Sequence, residues 1–209
     1  MSTPAQRMVV EQLLPHGVTD QRVLKVMSEI PREEFVLPKL RRHAYEDRAL
    51  AIECGQTISQ PLVVALMTQA VAPKPDDVAL EVGAGSGYQA AVLSRLCRKV
   101  ITVEREPALA EHAAATLRRL DGFTNVEVAV GDGSLGWPAE APYEIIVVAA
   151  AATGVPPSLI EQLAEGGRMV IPVAVSRNEP QDLRLYRKQD GQVTFRSLFP
   201  VLFVPLLTG

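Results

Sequence analysis

The sequence predicts a doubly wound α/β fold: a mostly parallel sheet flanked by helices, preceded by further helices and closed by antiparallel strands. Three observations carry this. From residue 78 onward, short apolar runs alternate with helical patterns. Those runs are apolar along their whole length, as strands covered on both faces are. The last stretch then changes to two strand patterns on either side of Asp190-Gly191, a hairpin signal.

The elements follow in order. Met8, Val9 and Leu13 share one helical face, and Val23, Val26, Met27 and Ile30 form a second stripe. Thr19 or Asp20 can cap that second helix, and Pro31, which cannot continue the hydrogen-bond ladder, closes it. Residues 35–58 show no period and break at Gly55. Pro61 suits the first position of a third helix, 62–71, because its missing N–H is not needed there. Ser59 therefore sits at or just before a helix N-terminus, where unpaired N–H groups and the helix dipole favour an anion.

After Pro73-Lys74-Pro75 the strand–helix alternation begins. Strand 78–82 ends in glycines and leads to helix 88–96. Strand 100–103 ends at Glu104 and leads to helix 107–120. Strands follow at 126–130 and 145–148, then helix 159–163 stopped by Gly166-Gly167, then strand 169–171. Residues 183–186 and 193–203 form the hairpin, and the apolar tail 199–207 is a buried strand or an interface, of which the strand is expected. The whole, 1–209, is expected to be one domain, with 1–72 as a helical extension and 73–209 as the core.

Composition narrows the function classes. With 47% hydrophobic and 22% charged residues the chain has the makeup of a globular enzyme. A net charge of −3 and no basic run offer no electrostatic footprint for nucleic acid or a membrane surface. The N-terminus lacks the apolar core of a signal peptide, and the apolar stretches are too short to span a bilayer, so a cytoplasmic protein is expected. Cys54 and Cys97 are far apart, with no histidine at ligand spacing, so free thiols and no metal are expected.

Three features fall at successive strand ends. Glu81-Val-Gly83-Ala-Gly85-Ser-Gly87 leaves the first core strand and enters a helix, and glycines there let a ligand approach the backbone. Glu104, at the end of the second, can accept hydrogen bonds from both hydroxyls of an adenosine ribose. Asp132, between Gly131 and Gly133 after the third, can accept from an adenine amino group, or simply cap a β-turn. Read from Gly83 the dinucleotide pattern G-x-G-x-x-G/A fails at Tyr88; read from Gly85 it passes at Ala90. The glycines alone therefore leave NAD(P) open beside S-adenosylmethionine. A fourth feature, Gly55-Gln56-Thr57-Ile58-Ser59-Gln60-Pro61, carries hydroxyls and amides into a helix start; its plainer reading is a helix cap.

Taken together, GQTISQP, EVGAGSGYQAAVLS, TVERE, GDG-x₂-G, FVPL and AYED resemble the protein-L-isoaspartate O-methyltransferase family, over residues 30–209 and with its spacing. The resemblance implies a Rossmann-like methyltransferase sheet. It implies methyl transfer from S-adenosylmethionine to the carboxylate of L-isoaspartyl, and also D-aspartyl, residues in damaged proteins, with repair through a succinimide. It also implies Ser59 as the active-site serine, with Thr57, Ile58, Gln60, Gly83, Ala84, Gly85, Gly87, Glu104, Arg105, Asp132 and Gly133 around the cofactor. The expected partners are damaged proteins or peptides, with no nucleic acid and no membrane, and the expected state is a monomer.

The chemistry is consistent with this. A carboxylate with a pKa near 4 is ionised at neutral pH and needs no general base. His16, His43 and His112 are accordingly expected to stay outside the site. Alignment and water exclusion are what the enzyme must supply, the first worth up to about 7–11 kcal/mol. Ser59 is expected to orient the substrate carboxylate, with Gln60 and residues 35–58 closing over it.

Departures from the family pattern are Ala149 for a frequent threonine, Glu144 for aspartate, Ala51 for proline, and Glu53-Cys54 ahead of Gly55. Placed near the substrate, they bear on substrate more than on cofactor. They keep open a methyltransferase acting on another carboxylate or a small molecule. An NAD(P)-dependent oxidoreductase and a non-catalytic binding relative are the remaining readings.

Overall fold

A computed structural model describes residues 2–175 and 179–208. Thr3 caps α1 (Pro4–Met8), accepting from the Gln6 N–H while the Gln6 side chain returns the bond. The helical path runs on through a wider turn, Val9–Leu13, and a tight one, Leu14–His16, and stops at Gly17. Met8, Val9 and Leu13 are buried, as their shared face requires. Of the two candidate caps for α2 (Gln21–Glu29), Asp20 takes the role, accepting from the Arg22 N–H at 2.9 Å. The Thr19 N–H is met instead by the Gln69 side chain.

Residues 35–58 are irregular, as expected, save for tight turns and one small antiparallel ladder, β1 (Leu50–Ala51) with β2 (Thr57–Ile58). Strands of two residues are too short to show a period in sequence. Helix α3 (Pro61–Val71) begins on Pro61. Its N-cap residue is Gln60, and no side chain caps it, so Ser59 is not spent on that role.

The core then unfolds as β3 (Val78–Val82), α4 (Tyr88–Ser94), β4 (Lys99–Glu104), α5 (Pro107–Arg119), β5 (Val126–Val130), β6 (Tyr143–Val148), α6 (Pro157–Glu161), β7 (Leu163–Val173), β8 (Gln181–Gln189) and β9 (Gln192–Val201). The seven-stranded sheet has the order β5-β4-β3-β6-β7-β8-β9. The first five in that order run parallel, and β7-β8-β9 are antiparallel. Asp190 and Gly191, both left-handed, turn the final hairpin.

Two expectations are corrected. The segment 159–163 is not a helix stopped by Gly166-Gly167. Helix α6 ends at Glu161 and β7 already begins at Leu163. The glycines lie in a bulge of β7, where the pairing with β6 jumps from Tyr143↔Leu163 to Ile145↔Arg168. Nor is 199–207 one strand: β9 ends at Val201, and beyond it Pro205 makes a single bridge to Ala151.

Alternate residues of the central strands enter opposite layers, because successive side chains point to opposite faces. Leu80, Val82, Ile101, Val103, Ile146 and Val148 pack on one side. Ala79, Val100, Ile145 and Val147 pack on the other with the buried residues of α2, α3 and α4. No helix among the described residues is long and apolar enough to cross a membrane. Cys54 and Cys97 are free thiols, the first exposed and the second buried.

A buried ion pair ties the helical layer to the sheet. Arg168 on β7 donates to Asp77 at 2.6 Å and to the carbonyls of Val71 and Ala72 at the end of α3. Asp77 also accepts from the Lys74 N–H, so both ions are well satisfied. Removing one partner leaves the other charge stranded away from water. Arg168→Met is therefore expected to lower stability by about 3–5 kcal/mol, measured by denaturant unfolding; a loss below about 1 kcal/mol, the scale of a surface pair, would contradict this account.

Candidate active site

The cleft lies at the carboxyl ends of β3, β4 and β6, where open α/β sheets bind ligands. It encloses about 880 Å³, part of it open to solvent.

Its floor is the glycine loop. The Gly83 N–H donates to the Val103 carbonyl at 2.8 Å, carrying the ladder one residue past the end of β3. Gly83, Gly85 and Gly87 all have positive φ, a conformation in which a side chain would be strained. At Gly87 a Cβ would also sit 3.3 Å from Ala113 on α5, so this glycine serves the packing of α4 against α5. Gly133 permits a second close approach, since a Cβ there would meet Val82 at 2.5 Å.

Glu104 is held at the cleft wall by backbone. Its Oε2 accepts from the Gly85 N–H at 2.8 Å and its Oε1 from the Glu106 N–H at 3.0 Å. A carboxylate has roughly four acceptor positions, so lone pairs remain for a ligand diol. The loop and the acid thus form one unit rather than two independent features.

The structure brings Thr57, Ile58, Ser59, Gly83, Ala84, Gly85, Glu104, Arg105 and Gly133 together around this cleft. Gln60, Gly87 and Asp132 are not on its wall. Gln60 starts α3, and Gly87 starts α4. The Asp132 carboxylate accepts from the Ser134 N–H and hydroxyl, at 2.9 and 2.6 Å, capping the turn Gly133–Leu135. None of the three histidines lines the cleft.

The departures also find their places. Ala149 is in the cleft wall, whereas Glu144 is not near it. Glu144 accepts from the Val78 N–H at 2.8 Å, at the opposite ends of β3 and β6. Five residue steps along the strand separate it from Ala149, about 16 Å at roughly 3.3 Å per residue. The expectation that Glu144 sits beside the substrate is corrected: its longer side chain serves the foot of the sheet. Ile52 covers Gly85, its Cδ1 lying 3.5 Å from where a Cβ would stand, while Ala51, Glu53 and Cys54 are off the wall.

Further wall residues escaped the sequence reading. Ser86, Tyr88 and Gln89 enter because α4 starts beside the loop. Residues 204–207 enter because the tail folds back against the segment after β6, with the Ala151 N–H on the Val204 carbonyl and the Leu206 N–H on the Ala151 carbonyl, each 2.8 Å. The FVPL motif was legible as a resemblance, but its place in the cleft was not.

Glu81 is the most unusual of these residues. It is fully buried in the cleft wall, and neither carboxyl oxygen finds a hydrogen-bond partner among the described residues. Burial pushes its pKa up to about 8; the Thr102 hydroxyl nearby opposes the shift, and the Glu104 charge adds to it.

The family model for protein-L-isoaspartate(D-aspartate) O-methyltransferases matches residues 4–209. The chain belongs to this family. A protein-L-isoaspartate O-methyltransferase of Parvibaculum lavamentivorans is 52% identical over 92% of this chain and 87% of its own length. One from Protochlamydia amoebophila is 48% identical over 96% of this chain and 95% of its own. A solved protein-L-isoaspartate O-methyltransferase superposes with a TM-score of 0.86 at 32% identity, over 98% of this chain and 66% of that one. A Plasmodium falciparum structure, in complex with S-adenosyl-L-homocysteine, gives 0.83 at 25% identity, over 97% and 98% of the two chains.

Glu81 yields a pH prediction. Below the ordinary carboxyl pKa of 4.5 the group is neutral in folded and unfolded chains alike and adds no pH dependence. Between 4.5 and about 8 the unfolded chain loses the proton while the folded one keeps it, so stability falls as pH rises. Glu81→Gln is expected to flatten the decline of Tm across that window, measured by thermal unfolding at stepped pH. Parallel Tm profiles for variant and parent would show that the carboxyl titrates normally.

Proposed function

We propose that the protein methylates the free carboxylate of L-isoaspartyl, and D-aspartyl, residues in damaged proteins, starting their repair through a succinimide. The observation that carries this reading is the meeting of the glycine loop, Glu104 and the Ser59 turn in one cleft, in a chain of this family. S-adenosylmethionine supplies the reaction with an electrophilic methyl group on a sulfonium. The residues present suit that group. Gly83 and Gly85 leave room against the backbone, and Glu104 keeps acceptor positions for ribose hydroxyls. The buried Glu81 carboxyl, lacking a protein partner, puts an acceptor in the same wall.

The acceptor half of the cleft is the turn before α3. Ser59 offers a hydroxyl to an incoming carboxylate at the start of an 11-residue helix, whose dipole favours negative charge. The substrate carboxylate is ionised at neutral pH and is itself the nucleophile, so no protein base is required. Ile58, Val64 and residues 204–206 make that part of the wall apolar, which excludes water and strengthens the remaining polar contacts. The chain's contribution is placement, for which effective concentration alone is worth up to about 7–11 kcal/mol.

Radiolabelled methyl transfer to an isoaspartyl peptide, with its aspartyl twin as control, tests the function. Label on the first and none on the second is expected; label on neither would sink the reading. Ser59→Ala is expected to cut turnover of the isoaspartyl peptide by about tenfold or more, as loss of one oriented hydrogen bond does, while binding of S-adenosylhomocysteine by calorimetry stays unchanged. Full turnover in that variant would remove Ser59 from the acceptor site.

A further inference from the structure

Arg32 is fully buried, yet no carboxylate pairs with it among the described residues. Its Nε donates to the Ala44 carbonyl at 2.7 Å and its Nη2 to the Ser59 carbonyl at 2.6 Å. The guanidinium lies 4.6 Å above the Tyr88 ring, and Tyr88 begins α4 and lines the cleft. Nη1 has no partner among the described residues. One cation therefore joins the Ala44 turn, the Ser59 turn and the first residue after the glycine loop.

A neutral amide could hold a carbonyl without the desolvation cost of a charge. Burial pulls the Arg32 pKa below the ordinary guanidinium value; the Tyr88 phenol group opposes this most, with weaker help from Tyr45 and Asp47. A guanidinium nevertheless stays protonated in a protein. The fold thus keeps a cation behind the turn that presents Ser59, in a region screened from water, where charge acts at longer range.

We infer that Arg32 is a positioning residue for the acceptor half of the cleft: it fixes the Ser59 turn through its carbonyl and lends positive charge to an anion docking there. The inference rests on the proposed role of Ser59. Arg32 is not on the cleft wall and holds the Ser59 turn from behind, so its effect is expected on the carboxylate-bearing peptide and not on the adenosyl end, where Glu104 and the glycine loop are tied to each other.

Two variants separate charge from stapling. Arg32→Lys keeps the cation with poorer geometry, whereas Arg32→Gln keeps an amide donor and removes the charge. Arg32→Gln is expected to lower kcat/KM for an isoaspartyl peptide about 30-fold, and Arg32→Lys about fivefold, the scale of a slightly misplaced reacting group. S-adenosylhomocysteine affinity, by calorimetry, is expected to stay within about threefold for both, the effect of one weak surface-scale contact. Equal loss of peptide turnover and S-adenosylhomocysteine affinity would mean general damage and overturn the inference. So would wild-type turnover in Arg32→Gln, or Arg32→Lys performing no better than it. If Arg32→Gln does not fold, Arg32→Lys alone decides by the same split. If the parent protein methylates no isoaspartyl peptide, the reading of Ser59 fails by itself. Hydrogen exchange then tests the positioning: faster exchange at 58–62 but not 83–87 in Arg32→Lys supports it, and unchanged exchange at both overturns it.

Discussion

The cleft depends on three parallel strands ending in step. The Gly83 N–H continues the β3–β4 ladder onto Val103, and the Ala149 N–H continues the β3–β6 ladder onto Val82, each at 2.8 Å. These bonds place the loops after β3, β4 and β6 at one level above the sheet. A change of register by one residue would turn every side chain to the opposite face. It would also separate Gly85 from Glu104, whose 2.8 Å bond makes the loop and the acid a single surface. The apolar packing on both faces of the sheet is what holds that register.

Buried polar groups divide by role. Where the fold needs rigidity, they are satisfied: Asp77 and Arg168 meet each other and nearby backbone, and Gln162 donates to the Leu135 carbonyl while accepting from the Trp137 N–H. At the cleft some are not. Both Glu81 oxygens lack partners, as does the Tyr88 hydroxyl just beyond the glycine loop, with Arg32 Nη1 beside that ring. Unsatisfied buried groups cost stability, on the order of 1–3 kcal/mol each, so their concentration around one cavity marks where the fold gives up stability to bind something.

Helical decoration and Rossmann-like core meet at the cleft as well as across the apolar layer of α2 and α3. Residues 56–59 come from the segment before α3, Glu104 and Arg105 from the core, and residues 204–207 from the tail. Ile52 against Gly85 and Arg32 against Tyr88 are contacts at the cleft that join the two halves. Cofactor-side geometry is local to the core, while acceptor-side geometry is assembled from distant parts of the chain.

By itself the sequence determined what short-range physics encodes. The continuous apolar runs required strands covered on both faces, the glycines required left-handed backbone after β3, Glu104 had to end β4, and Pro61 had to start a helix just past Ser59. Each of these rests on neighbours within a few residues. Tertiary structure alone decided the rest. Glu144 went to the foot of the sheet, and the glycine pair 166–167 became a bulge because β6 offered pairing earlier than the local pattern did. Arg32 reached a carbonyl 27 residues away, and the tail folded onto Ala151. Burial and long-range hydrogen bonds depend on which segments the topology brings together, and no window of sequence contains that.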